Sequence, residues 1–288
     1  MISVIITSFN EPKLEMAIIS ILKQKINQKY ELIVVAPDKD AEILSKKYKI
    51  KYFKDEGKGK SFALNTLLKK LNSEILIFTD GDVFTDKNSI NEILNLFKDK
   101  KIGVVTGRPV PQESKDTKWG YFANLLFYGA HKIRKRLSIE NKFLECSGYL
   151  FAFRNNIIKE FPLDVAEDAI IPYMFYLKNY KIGYAEKALV YVKNVDNLKD
   201  WIKQKKRTSK AHETLTKYYK NFPKVKSFKN EILSGTFLAL SYPKKVKEMF
   251  WTVQLLLMRF YMWVLVLLES RLLKKRYSDA WEKVNSTK

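Results

Sequence analysis

Residues 75–82 read Ile75-Leu76-Ile77-Phe78-Thr79-Asp80-Gly81-Asp82, an apolar run leading straight into two carboxylates one residue apart. A short unbroken apolar run of this kind suits a strand buried on both faces, as in a parallel sheet. The same unit recurs upstream at 3–7, 32–35 and 50–53. Between these strands Leu14, Ala17, Ile18, Ile21 and Leu22 fall at helical spacing, with Asn10 as the expected cap and Pro12 in the first turn. Residues 41–48 and 60–71 read as further helices; downstream, 89–97 is a helix and 102–106 a fifth strand. Strands alternating with helices predict an α/β fold, with a mostly parallel sheet flanked by helices. Ligands of such sheets bind beyond the carboxyl ends of the strands, and Asp80 and Asp82 stand at such an end.

Beyond Gly107 the pattern loosens. Residues 119–136 read as a helix with aromatic residues and a basic end, 150–153 as a strand, 169–177 as a helix and 183–192 as a last strand; 201–220 is basic and helical. The 288 residues carry 53 Lys and Arg against 31 Asp and Glu, a net charge of +22. That excess suits nucleic acid, an anionic membrane surface or a phosphorylated substrate. A 46% apolar content excludes a disordered polycation. One cysteine, Cys146, excludes a disulfide scaffold, and two histidines exclude a multi-histidine metal centre. A metal here needs oxygen ligands. The opening MISVIITSFNEP holds an apolar run long enough for a strand and too short for an export signal, so the expected location is cytoplasmic.

Four stretches carry candidate chemistry. Asp80 and Asp82 can hold a divalent cation that shares its shell with phosphate and water, although Asp-Gly is also an ordinary turn dipeptide. Asp55-Glu56-Gly57-Lys58-Gly59-Lys60-Ser61 opens a helix, and glycines there let the backbone approach an anion. It lacks the spacing of a P-loop, and by itself it also reads as a solvated basic loop. Glu167 and Asp168 lead into a helix, where acids complement the macrodipole or accept a proton from an attacking hydroxyl. Gln204-Lys205-Lys206-Arg207 is a solvated helix face or a cationic group for a leaving diphosphate.

Taken in order, SVIITSFNEP, DEGKGKSFALN, FTDGD, VVTGR, CSGYLFAFR, AEDAIIPYM and QKKRT resemble the successive motifs of the family 2 glycosyltransferases, whose fold is the Rossmann-like GT-A fold. The resemblance runs from Ser3 to about Thr208 and implies inverting transfer of a sugar from a nucleotide diphosphate sugar, with Mg²⁺ or Mn²⁺ as cofactor. It implies that Thr7, Phe9 and Glu11 line the nucleotide pocket, with Asp38, Asp55, Lys58 and Gln204. Residues 34–38 read Val-Val-Ala-Pro-Asp rather than paired aspartates, which leaves UDP and GDP both open. Asp80 and Asp82 become the DxD-like pair, Asp82 the direct ligand; Asp168 becomes the general base, with Glu167 its neighbour and Arg207 a leaving-group cation. Gln204 and Arg207 match the start of a QxxRW motif, but Thr208 stands where the tryptophan of processive synthases would be.

The last distinct segment, 249–268, is apolar but for Thr252, Gln254 and Arg259, with lysines and arginines on both flanks. Its length permits a membrane span, which Arg259 opposes by roughly 2.5–3.5 kcal/mol. Basic flanks with Trp251, Tyr261 and Trp263 inside suit a helix at an interface; a buried helix of a soluble protein is the alternative. The expected organisation is a GT-A domain over 1–230, with a nucleotide-sugar half (1–107) and an acceptor half with a basic lid helix (108–230). A membrane-associated helical segment (231–288) follows. The expected partners are a UDP- or GDP-sugar, a lipid-linked or glycan acceptor and an anionic membrane surface, at the cytoplasmic face of the cell membrane. A processive polysaccharide synthase is a second reading. A sugar nucleotidyltransferase is disfavoured by the 8–11 loop, and a nucleic-acid-binding protein by the dispersed basic residues.

Overall fold

The computed structural model describes residues 1–221, 223 and 235–272. The first half alternates as expected: β1 (Ile2–Thr7), α1 (Leu14–Leu22), β2 (Tyr30–Ala36), α2 (Lys39–Lys47), β3 (Lys51–Lys54), α3 (Lys60–Leu68), β4 (Ile75–Asp80), β5 (Val83–Thr85) and α4 (Ser89–Leu96). The second half adds β6 (Ile102–Pro111), α5 (Lys118–Ile139), β7 (Leu150–Arg154), α6 (Glu167–Leu177), β8 (Lys181–Val192) and α7 (Leu198–Tyr218). Two further helices, α8 (Thr236–Leu240) and α9 (Val246–Leu272), complete the described chain.

One mixed sheet runs in the order β3-β2-β1-β4-β7-β6-β8-β5. β3, β2, β1 and β4 pair in parallel, as do β6 and β8, while β7 and the edge strand β5 run antiparallel to their neighbours. The carboxyl ends of β1, β2, β3 and β4 therefore share one edge, and the register sets Thr7 of β1 beside Asp80 of β4. The two-residue period of the strands sorts the core onto two faces. Ile5, Ile33, Val35, Leu76, Phe78, Phe151 and Phe153 point to the side that buries α3 and α6. Val4, Ile6, Val34, Ile77, Val105 and Ala152 point to the side that buries α1 and α4. Phe78 stacks against Phe151 and Phe153, its centroids 5.3 and 5.2 Å from theirs, and so ties the two halves of the sheet together.

Three features depart from the sequence expectations. Asn10 does not cap α1: the helix starts at Leu14 after Lys13, without a side-chain cap. Asn10 instead sits at φ 46°, its N–H donated to Asp38 Oδ2 at 2.9 Å. β5 was unforeseen because three residues carry too little pattern; it exists by pairing with the end of β8. β6 continues past Gly107 to Pro111 through a register shift, where a Cβ on Gly107 would come within 2.8 Å of Leu150.

A third apolar cluster lies off the sheet. Tyr121, Phe122 and Leu125 of α5, Trp201 of α7 and Leu255, Met262 and Val266 of α9 form it, and Tyr121 Oη meets Thr252 Oγ1 at 2.6 Å. The described part of the apolar C-terminal segment is thus docked on α5 and α7; the boundary expected near residue 230 falls outside the described residues. Phe78 is 2% exposed between two stacked rings, so Phe78→Ala is expected to cost about 3–5 kcal/mol in urea unfolding.

Candidate active site

The strand ends meet at a single ammonium group. Gly57 (φ 72°) and Gly59 (φ 108°) turn the chain between β3 and α3 through conformations that favour glycine. Lys60 then opens α3, and its Nζ lies 2.7 Å from Asp80 Oδ1 and 2.7 Å from Glu167 Oε1. Asp80 Oδ1 also accepts from Thr7 Oγ1 at 2.9 Å. The side chains of Lys60 and Glu167 are only 15% and 10% exposed. Burial opposes the charge on Lys60, but the two carboxylates outweigh it and hold the ammonium well above the ordinary lysine range.

Asp82 follows Asp80 across Gly81, whose N–H is fixed by Thr7 O at 2.8 Å. Burial first, then the charges of Asp80 and Glu11, push the Asp82 carboxyl up to about 6, against a weaker pull from Lys60. Glu11 is half-buried and accepts the Lys13 N–H at 3.2 Å; Phe9 beside it is also half-buried. Among the described residues no three His, Cys, Asp or Glu side chains gather as a metal cluster. The donor set is two carboxylates in a pocket with excess negative charge. That fits Mg²⁺ or Mn²⁺ held by few protein ligands, with phosphate and water completing the shell.

Asp168 opens α6 next to Glu167, and its Oδ2 accepts the Gly148 N–H at 3.1 Å. The loop carrying Gly148 is itself held: Cys146 N–H donates to Asp168 O at 3.0 Å, Ser147 N–H to Thr106 Oγ1 at 2.9 Å, and Arg134 Nε to Glu145 O at 3.1 Å. Tyr149 follows in this loop. Burial raises its phenol far above the ordinary range, helped by Asp82, Asp80 and Asp168 and opposed by Arg207. One phenol thus senses Asp80 at the end of β4, Asp82 in the turn after it, an acid of α6 and the guanidinium of α7. Gln204 is half-buried one turn before the exposed Arg207, and Thr208 turns its hydroxyl back onto Gln204 O at 3.1 Å.

At the β2–β3 end of the same edge, Asp38 uses both oxygens on backbone: Oδ1 accepts from Ala41 N–H at 3.0 Å as the cap of α2, and Oδ2 from Asn10 N–H. Asp55 is 4% exposed, and neither of its oxygens has a hydrogen-bond partner among the described residues. Burial raises its carboxyl, and the nearby Gly57 and Glu56 amides offset this only in part. A buried, unmatched acceptor of this kind suits a ligand N–H. Lys58 lies outside the group, exposed and ion-paired to Glu56 at 2.7 Å. Sequence reasoning chose Lys58 from the glycine loop and passed over Lys60 and Tyr149. The usable signal was position: Lys60 is the residue that opens the helix after the second glycine.

The sequence profile described as "Glycosyl transferase family 2" matches residues 3–161, more than half of the chain. The chain belongs to the family 2 glycosyltransferases. Poly-beta-1,6-N-acetyl-D-glucosamine synthase of Staphylococcus aureus is 25% identical over 250 residues, covering 81% of this chain and 60% of that protein. The O-antigen chain rhamnosyltransferase WbaN of Salmonella anatum is 28% identical over 127 residues, 41% of this chain and 40% of that one. Among solved structures, residues 1–349 of S. aureus TarS, in complex with UDP-GlcNAc, superimpose with a TM-score of 0.50 at 17% identity, over 94% of this chain and 91% of that one. The likeness to TarS is one of fold, and the fold of this family 2 member is GT-A.

Lys60→Met leaves Asp80 and Glu167 facing each other without a cation. Urea unfolding of the ligand-free protein is expected to show a loss of about 3 kcal/mol or more.

Proposed function

We propose that this family 2 protein is an inverting, divalent-metal-dependent glycosyltransferase. On this reading it moves a sugar from a nucleotide diphosphate sugar to a lipid-linked or glycan acceptor at the cytoplasmic face of the membrane. The observation that carries the reading is one buried lysine shared by Asp80 and Glu167 at the carboxyl edge of the sheet, with Asp82 within its field and Asp168 grouped with Asp80 and Asp82 around the Tyr149 phenol. Four acids and a lysine cannot discharge a phosphate-bearing substrate unaided, and Asp82 and Asp80 would hold Mg²⁺ or Mn²⁺, which supplies the charge neutralisation for a diphosphate.

The protein groups divide the remaining work. Asp55 offers its unmatched carboxylate to an N–H of the base, and the UDP-GlcNAc held by TarS supports the uridine form of the donor over the guanosine form. Thr7, Phe9, Glu11 and Asp38 shape the nucleotide end, while Lys58 lies at its rim. Asp168, oriented by the Gly148 N–H, accepts the proton of the acceptor hydroxyl. That oxygen forms its bond to the anomeric carbon on the face opposite the leaving group. The bond from that carbon to the diphosphate breaks, and its electron pair leaves with the phosphate. The transition state is oxocarbenium-like, as in inverting glycosidases. Arg207, with Gln204 behind it on α7, and Lys60 neutralise the departing diphosphate.

A processive polysaccharide synthase is the second reading, favoured by the polymer synthase among the relatives. Thr208 offers no aromatic face on which a growing glycan could stack. Single additions are therefore preferred. The C-terminal apolar helix supports the membrane part of the proposal.

Calorimetry with UDP and GDP, each with Mn²⁺ and then with chelator, tests the donor site. UDP is expected to bind with metal and at least about tenfold more weakly to Asp82→Ala; metal-independent binding unchanged in the variant removes the metal role. Asp168→Asn is expected to keep donor binding and lose about 10²–10⁴ in transfer rate, measured with a labelled UDP-sugar and a lipid extract. Full transfer by this variant withdraws the base assignment.

A further inference from the structure

The helix α9 has two apolar faces, and only one is used. Its inner side runs Thr252, Leu255, Met262 and Val266, all buried against α5 and α7, and Arg259 on this side lies 5.9 Å from the centre of the Trp201 ring. Its outer side is exposed along the same length: Phe250 at 71%, Leu257 at 64% and Phe260 at 59%, with Met249, Val253 and Leu268 continuing the stripe. On α8, Phe237 is 78% exposed. Spacings of three and four residues place the outer side chains on one stripe, which no described residue covers. Contiguous exposed apolar surface of this extent marks a docking face.

We propose that this outer face lies flat in the headgroup layer of an anionic bilayer, the axis of α9 running along the surface instead of through it. The inference rests on the membrane part of the function proposed above and fixes its geometry. Charge complementarity identifies the occupant. Lys244, Lys245 and Lys247 are exposed at the start of the stripe, Lys247 beside the Trp251 ring at 5.2 Å, and Lys115 lies 5.9 Å from the Tyr242 ring. Aromatic rings beside lysines at the border of an apolar stripe suit the boundary between acyl chains and anionic headgroups. The whole chain carries the same sign, +22.

The docking of the inner face opposes a span. By composition α9 could cross a membrane between Val246 and Leu268. It is clasped along that length by α5 and α7, through Tyr121 to Thr252 and through Trp201 to Arg259. A perpendicular α9 would draw α7, with Lys203, Lys205, Lys206 and Arg207, into hydrocarbon together with Arg259. A flat α9 leaves all of these on the aqueous side of the protein.

The test uses the full chain and vesicles of phosphatidylcholine with or without phosphatidylglycerol. Flotation is expected with the anionic vesicles, and the doubly substituted Phe250→Glu, Phe260→Glu chain is expected to bind at least about tenfold more weakly with its melting temperature kept. Lys244→Glu with Lys245→Glu, which leaves the stripe intact, is expected to weaken binding to anionic vesicles alone. Depth is read from an environment-sensitive dye on cysteines introduced at Met249, Leu257 and Leu268. Cys146 is fully buried with its thiol held neutral, so it stays unlabelled. All three positions are expected to be quenched by a lipid quencher near the headgroup more than by one near the chain ends. Deep quenching at Leu257 with shallow quenching at the two ends means a span: it overturns the flat geometry and leaves the membrane reading standing. No flotation, or a lipid-free dimer whose formation shields all three dyes, overturns both; donor binding is measured separately and does not depend on either result.

Discussion

A buried ammonium between two carboxylates from opposite halves of the sequence is the contact on which this site depends. Asp80 belongs to β4 in the first half, Glu167 to α6 in the second, and Lys60 to α3, the helix before β4. None of the three tolerates burial alone: a lone buried charge costs several kcal/mol, and the Coulomb attraction repays it only when geometry and hydrogen bonds are good. Geometry is good because the backbone imposes it. The β1–β4 register delivers Thr7 to Asp80, the two positive-φ glycines deliver Lys60, and the stacked rings of Phe78, Phe151 and Phe153 hold β7 against β4 so that the loop after Cys146 reaches Asp168.

The same arrangement leaves the pocket electrically incomplete. One lysine is shared between Asp80 and Glu167, while Asp82 stays under-compensated and carries a raised pKa of about 6. Asp55, further along the same edge, is buried with two unmatched oxygens. A fold selected for stability alone would not retain both features, since each opposes the charged state at neutral pH. Unmet acceptors at one end and uncompensated negative charge at the other are what the proposed donor, with N–H groups on its base and a cation-bearing diphosphate, would complement.

Most of this was legible in the sequence where the signal was local and repeated. Apolar runs ending in polar residues gave the strands, and Asp80 and Asp82 marked the carboxyl edge at which the candidate site gathers. What was not legible depended on pairing or on side-chain direction. Val83–Thr85 is a strand only because β8 lies beside it. Asn10 looks like a helix cap but takes a left-handed conformation, because Asp38 accepts its N–H while also capping α2. Lys58 and Lys60 are indistinguishable by composition; Gly59 between them decides that one faces solvent and the other is sealed between acids. Arg259 looked like a defect in an apolar segment, and only the tertiary contact with Trp201 gives it a place.

The helix α7 joins these observations into one geometry. Trp201, near its start, is 3% exposed and bound into the cluster with α9, while Arg207, less than two turns on, projects its charge onto Tyr149 among the pocket acids. Residues six apart on a helix are separated by about 9 Å along its axis. The apolar cluster and the acid-lined pocket are thus held by one rigid element, by side chains about 120° apart around its axis. If α9 rests on a lipid surface, α7 ties the pocket to that surface through Trp201. On the proposed function, a lipid-borne acceptor is then tethered by its own anchor, and stacking on the aromatic side chain that Thr208 replaces is not needed to hold it.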